Sequence, residues 1–139
     1  MRNVWVNGTF DILHIGHISL LRYAKSLGDK LIVGIDSDTR VKSLKGDLRP
    51  INTDINRVTL LESIKYVDEV HIFNTDDELV SLIKEHKPEL MVIGSDYKNK
   101  NIIGSEFIKE IVYYTRIDDY STSDMIEKLK KNVTRTTHY

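Results

Sequence analysis

Asn7-Gly8-Thr9-Phe10-Asp11-Ile12-Leu13-His14-Ile15-Gly16-His17 is the stretch that decides the fold. The apolar run Val4-Trp5-Val6 leads into it, and Ile18, Leu20, Leu21, Ala24 and Leu27 continue out of it at helical spacing. The stretch therefore reads as a strand, a glycine-containing turn and the opening of a helix. A helix N-terminus carries unpaired N–H groups and partial positive charge, so phosphates bind there readily. Gly8 permits a tight turn beside a ligand. His14 and His17 are three apart and project to nearly the same side, with Gly16 leaving room for something large to approach between them. Either imidazole can donate to a phosphate oxygen. The third glycine of a dinucleotide fingerprint is missing, as is the Gly-Lys-Ser/Thr of a Walker loop. What remains points to electrostatic stabilisation of a phosphoryl transition state at the start of a first helix.

A His-x-x-His pair alone reads as readily as two surface histidines or half a zinc site. Zinc needs further ligands; the chain has no cysteine, and His71, His86 and His138 stand at no obvious metal-ligand spacing. No protein-ligated metal is expected. The wider chain sets the frame. Its 139 residues suit one domain, and 40% hydrophobic and 29% charged residues are ordinary for a globular protein. A net charge of −1 gives no general attraction to nucleic acid or acidic membranes. No apolar run approaches a membrane span, and a strand follows Met1-Arg2-Asn3 at once, so no signal peptide is expected. The missing cysteines fit a reducing, cytoplasmic setting.

After a first helix over about His17–Leu27, with Gly28 as its cap, Leu31-Ile32-Val33-Gly34-Ile35 reads as a strand buried on both faces. Strand, helix, strand at this length is a βαβ unit. Val41–Pro50 is polar and charged, and reads either as a solvated loop or as a mobile flap whose Lys45 and Arg49 reach a triphosphate. Thr53 or Asp54 can cap a helix carrying Arg57, Leu60, Leu61 and Ile64. A cation in the early turns of that helix opposes the dipole, and so hints at a partner for Arg57. Val67–Phe73 reads as a third strand, Asp76 to Pro88 as a helix and its stop, and Leu90–Gly94 as a buried fourth strand. Ser95-Asp96-Tyr97-Lys98 would sit at the C-terminal edge of that strand, where open parallel sheets bind ligands. A short helix over Ser105–Lys109 and a strand over Ile111–Tyr114 follow. Ser121 and Asp124 form a capping-box pattern before a last helix with Met125, Ile126 and Leu129.

The string Gly8-Thr9-Phe10-Asp11-x-Leu13-His14-x-Gly16-His17 resembles the signature of the nucleotidyltransferase superfamily that includes the cytidylyltransferases. The resemblance extends over about Val4–Lys130. It implies a Rossmann-like α/β domain at 1–131, with a parallel sheet of about five strands and helices on both faces, followed by a polar tail at 132–139. Two relatives compete. Gly8-Thr9-Phe10-Asp11, Tyr66-Val67-Asp68-Glu69-Val70 and Arg116 five before Ser121-Thr122 look like glycerol-3-phosphate cytidylyltransferase. Leu44–Asn52, Pro88–Lys98 and Ile103-Gly104-Ser105 look like the adenylyltransferase part of the bifunctional heptose-phosphate kinase/adenylyltransferase, and they cover more residues. Ser123 stands where both usually have Thr, which keeps the hydroxyl.

The resemblance implies a reaction in which a phosphate oxygen of a sugar or polyol phosphate attacks the α-phosphorus of ATP or CTP and pyrophosphate leaves. His14, His17, Lys45 and Arg116 are the catalytic candidates. Gly8, Thr9, Phe10, Asp11, Arg57, Gly94, Asp96, Ser121 and Thr122 join them as nucleotide-binding candidates, with Arg57 either on phosphate or supporting the site. Asp11 and Asp38 are the acceptor-side candidates. Mg2+ would be held mainly by the nucleotide phosphates, and a homodimer is expected. Other superfamily adenylyltransferases and a non-catalytic nucleotide-binding module are the alternatives, and a flavodoxin-like electron carrier is a remote third.

Overall fold

The computed structural model describes residues 1–94, 101–115 and 126–131. The elements run β1 (Asn3–Gly8), α1 (Ile15–Ser26), β2 (Lys30–Asp36), α2 (Asp38–Lys45), α3 (Asp54–Glu62), β3 (Glu69–Phe73), α4 (Asp76–His86), β4 (Leu90–Gly94), a 3-10 turn (Ser105–Phe107) and β5 (Glu110–Tyr114). Residues 126–131 are helical. The strands form one five-stranded sheet in the order β3-β2-β1-β4-β5, every neighbouring pair parallel. Chain order reverses between β1 and β4, which makes the cleft beyond their C-terminal ends the switch point where such sheets bind ligands.

Alternation along the strands builds two cores. Val4 and Val6 of β1, Leu31, Val33 and Ile35 of β2, and Leu90 and Val92 of β4 share one face with Leu21 and Ala24 of α1 and Leu61 of α3. Trp5, Ile32, Phe73 and Met91 occupy the other face with Leu79 and Ile83 of α4. Helices thus cover both faces. Gly34 is needed where it stands: a Cβ there would lie 2.6 Å from the Trp5 ring, so the indole crosses β2 only over a glycine.

Boundaries differ from the sequence reading where side chains cap helices. The first helix begins at Ile15 rather than His17 because the His14 side chain is its N-cap. Its C-cap is Leu27, and Gly28 serves close approach instead, since a Cβ there would meet the Arg2 carbonyl oxygen at 2.7 Å. Half of the polar Val41–Pro50 run is not loop but the end of α2, capped by Ser37 and holding only Val41 buried. The third strand starts at Glu69, because Val67 N donates to Ile64 O in a turn and the Asp68 carboxylate accepts from Leu31 N. The helix expected over Ser105–Lys109 is a single 3-10 turn.

Candidate functional site

A cleft of about 530 Å³ opens beyond the C-terminal ends of β1 and β4. Gly8, Thr9, Phe10, Asp11, His14, His17, Lys45 and Gly94 all line it, so most of the described candidates converge from three separate stretches of chain.

The two histidines are fixed by a reciprocal cap. His14 Nδ1 accepts from Gly16 N at 3.1 Å, and His17 Nδ1 accepts from His14 N at 3.2 Å. A ring nitrogen that accepts carries no proton, so each neutral imidazole holds its proton on Nε2, as a donor. The rings stack at 3.9 Å and 29°. Nothing large passes between them, contrary to the expectation drawn from Gly16; a ligand meets them from one side. Phe10 packs on His17 with ring centroids 5.2 Å apart. It does so from a left-handed backbone position, φ 50°, at the turn after β1, strain of the kind kept where a turn must aim its neighbours.

Asp11 is 1% exposed and wholly engaged. Its carboxylate accepts from Ile51 N, Asn52 N at 2.8 Å and Arg49 Nε at 3.2 Å, and its carbonyl accepts from Asn52 Nδ2. It pins the Arg49–Asn52 segment to the first turn. Both carboxylate oxygens accept from within the protein, which makes Asp11 a brace of the first turn at the cleft wall. Of the two roles expected of Arg57, support of the site is the one its bonds fit. Its side chain is 0% exposed. Nε donates to Asn52 O, Nη1 donates to both Thr9 O and Asp36 O, and Nη2 donates to Asp38 Oδ1. The guanidinium is fully buried and braces the cleft from beneath. Asp38 is the partner that the dipole argument called for. Its Oδ1 also accepts from Asp54 N, tying α2 to α3, and it does not line the cleft, so an acceptor role for it is not supported.

Among the described residues the cations that line the cleft are Lys45, Arg49 and Arg40. Partial burial against the cleft wall holds the Lys45 ammonium below the ordinary lysine range, and Arg49 adds repulsion that Asp36 and Asp11 only partly offset. Arg49 Nη2 is buried with no hydrogen-bond partner among the described residues, which is costly unless a ligand supplies an acceptor. Asp36, at the end of β2, accepts from Arg40 Nε at 2.7 Å and Thr9 Oγ1 at 3.3 Å. Arg40 also reaches Asp76, and these ion pairs raise it above the ordinary arginine value against the cost of burial. Asp36 and Arg40 were not among the candidates; the rule that ligands gather at strand C-termini pointed to Asp36. Asp96, Arg116, Ser121 and Thr122, with Ser123 and Asp124, lie outside the described residues.

Donors and cations that converge on a strand-to-helix turn, with no side chain poised as a nucleophile among the described residues, are suited to hold a polyanion still while its phosphorus is attacked. This is the site of a nucleotidyl-transferring α/β domain. The chain belongs to the cytidylyltransferase-like family, whose model matches residues 5–138, and it is a nucleotidyltransferase. It is 48% identical over 127 residues to the bifunctional protein HldE of Campylobacter fetus, covering 91% of this chain and 28% of that protein. With its counterpart in Helicobacter pylori strain Shi470 it shares 52% over 128 residues, covering 92% and 27%. The chain thus spans little more than a quarter of the curated relatives it matches. A lipopolysaccharide core biosynthesis protein from Thermoplasma volcanium superposes with TM-score 0.71 at 30% identity, covering 85% of this chain and 99% of that one. Pantothenate synthetase from Thermus thermophilus, at TM-score 0.59 and 14% identity, shares the fold alone. Among the described residues no helix is long and apolar enough to cross a membrane.

Proposed function

We propose that the chain transfers the adenylyl group of ATP to a sugar 1-phosphate, heptose 1-phosphate foremost, making an activated precursor of a cell-surface polysaccharide. The observation that carries the reading is the histidine pair: both Nδ1 atoms accept in the helix cap, which puts both neutral ring protons on Nε2 at one helix N-terminus. The acceptor's phosphate oxygen attacks the α-phosphorus, the bond to the β-phosphate oxygen breaks, and pyrophosphate leaves with its electron pair. His14 and His17 donate to the phosphate oxygens as charge builds there. Thr9 and the turn after Gly8 bound the α-phosphate, and Lys45 and Arg49 hold the β- and γ-phosphates. Arg116, Ser121 and Thr122 complete the same subsite by family resemblance. The cleft carboxylates Asp11 and Asp36 are already bonded within the protein, which fits Mg2+ arriving on the triphosphate rather than on a protein cage. Bound there, the ion would offset charge on the phosphates.

The choice of ATP and a heptose phosphate is supported by the length of the match, Leu44–Asn52 and Pro88–Lys98, and by the HldE relatives. The Gly-Thr-Phe-Asp form of the first turn and Arg116 before Ser121-Thr122 support a second reading, CTP with glycerol 3-phosphate. Pyrophosphate release with magnesium, crossing ATP and CTP against heptose 1-phosphate and glycerol 3-phosphate, separates them. Release is expected with ATP and heptose 1-phosphate. Release only with CTP and glycerol 3-phosphate establishes the second reading, and nucleotide binding without release from any pair overturns both.

Lys45 gives the site a pH dependence. Its depressed pKa means that it loses its proton earlier than a free lysine as pH rises. The KM for nucleotide should therefore climb on the alkaline side, beginning below the ordinary lysine range of about 10.4. Lys45→Arg should move that limb beyond the accessible range. An alkaline limb unchanged in Lys45→Arg would remove Lys45 from the phosphate site.

A further inference from the structure

His71 and His86, which show no metal spacing in sequence, are brought together with Glu69 far from the cleft. Glu69 is the first residue of β3, His71 is two further along on the same face, and His86 is the last residue of α4. One ligand atom from each lies within 4.8 Å of the other two. Glu69 Oε1 stands 3.0 Å from His71 Nε2 and 3.5 Å from His86 Nε2. Around a tetrahedral zinc with bonds of about 2.0–2.1 Å, neighbouring ligand atoms lie about 3.3–3.4 Å apart. The two carboxylate–imidazole separations are already near that edge length, and the two imidazoles lie within 4.8 Å of each other.

The second shell is in place as well. His86 Nδ1 lies 2.9 Å from Leu82 O. A carbonyl only accepts, so Nδ1 carries a proton and Nε2 faces Glu69 Oε1. A proton on Nε2 makes that contact an ion pair, and a metal ion in its place takes the same nitrogen and oxygen as ligands. A backbone carbonyl on the far nitrogen is the usual support of a metal-bound histidine. Glu69 Oε2 is taken by Lys30 Nζ, which leaves Oε1 to the imidazoles and braces the carboxylate as outer-shell groups do. Asn3 Nδ2 donates to His86 O and holds the end of α4 in position. Edge strand, neighbouring strand and helix terminus all contribute to one small cage.

We infer that Glu69, His71 and His86 form a binding site for a borderline transition-metal ion, zinc first, with a water in the fourth position. Two imidazoles and one carboxylate suit Zn2+, Co2+ or Ni2+; Mg2+ prefers oxygen ligands and keeps its waters, so the nucleotide's ion does not compete here. The site lies at the N-terminal end of β3, whereas the cleft lies at the opposite ends of the strands, so the metal clips the sheet's edge strand to α4 and takes no part in transfer.

The test is calorimetric titration of the metal-free chain with Zn2+ in millimolar Mg2+, together with thermal unfolding. One equivalent should bind, and at 100-fold over Kd the Tm should rise by about 5–10 °C. Co2+ should bind at the same stoichiometry and give the visible d–d absorption of a four-coordinate site. His71→Asn and His86→Asn should each weaken binding beyond the 10–100-fold typical of second-shell losses, and each variant's own metal-free Tm is the reference for its shift. Basal nucleotidyl transfer in either variant should match wild type. No binding in the wild-type chain, or binding that persists in both variants at another pair such as His14 and His17, overturns the inference.

Discussion

His17→Ala should cost about 10²–10³ in kcat while substrate binding and the fold persist, the scale of removing one donor aimed at a developing charge. Alanine also deletes the Nδ1 acceptor that caps α1 through His14 N, a helix-cap loss typically of about 0.5–2 kcal/mol. Two further variants separate the effects. In His17→Asn the amide oxygen takes the place of Nδ1 and restores the cap, but nothing reaches the position of Nε2. In His17→Gln the amide reaches toward Nε2 and the cap is lost. If the Nε2–H donor carries the rate, His17→Asn keeps the wild-type Tm and is as slow as His17→Ala, and His17→Gln melts earlier yet recovers part of the turnover. Wild-type turnover in a folded His17→Asn protein would sink the assignment. His14 sits against the same ring at 3.9 Å, so His14 and His17 act as a unit and their separate losses should not add.

Arg57→Ala should act on stability before it acts on rate. The guanidinium is fully buried, satisfies the carbonyls of Asn52, Thr9 and Asp36, and pairs with Asp38, whose side chain is 33% exposed. Removing it strands three carbonyls, and at about 1–3 kcal/mol for each buried group left unsatisfied the loss is about 3–5 kcal/mol even at the low end. For a domain of this size that is about 10–15 °C in Tm. Arg57→Lys should fare little better, because an ammonium on a flexible stem cannot span four acceptors set around a planar fork. Differential scanning calorimetry reads the loss, and nucleotide KM measured well below the new Tm should stay near wild type. A KM that rises while Tm holds would return Arg57 to the phosphate site.

Arg57 and Asp11 show why residue type alone misplaces a site. A cation early in a helix and an acid in a glycine turn look like ligand groups, and for Arg57 the sequence carries the hint of a partner. Which partner wins is settled by segments distant in sequence: Thr9, Asp36 and Asp38 for Arg57, Ile51 and Asn52 for Asp11. The helix α2 was legible in principle, with Ser37 to cap it, Asp38 in its first turn, and Lys42 and Lys45 in its last. Its near absence of apolar residues hid it, because one buried side chain makes no periodicity.

The amino-acid sequence by itself determined the strands, through apolar runs that only a sheet covered on both faces can bury. It also determined the histidine turn, because cap, glycine and donors are adjacent in the chain and need only local geometry. The tertiary structure decided which charges face the cleft and which support it from beneath. It also gathered Glu69, His71 and His86 into one cage. Both are matters of long-range burial: a charged group goes where its desolvation is compensated, and that compensation comes from residues that the strand order β3-β2-β1-β4-β5 brings into contact.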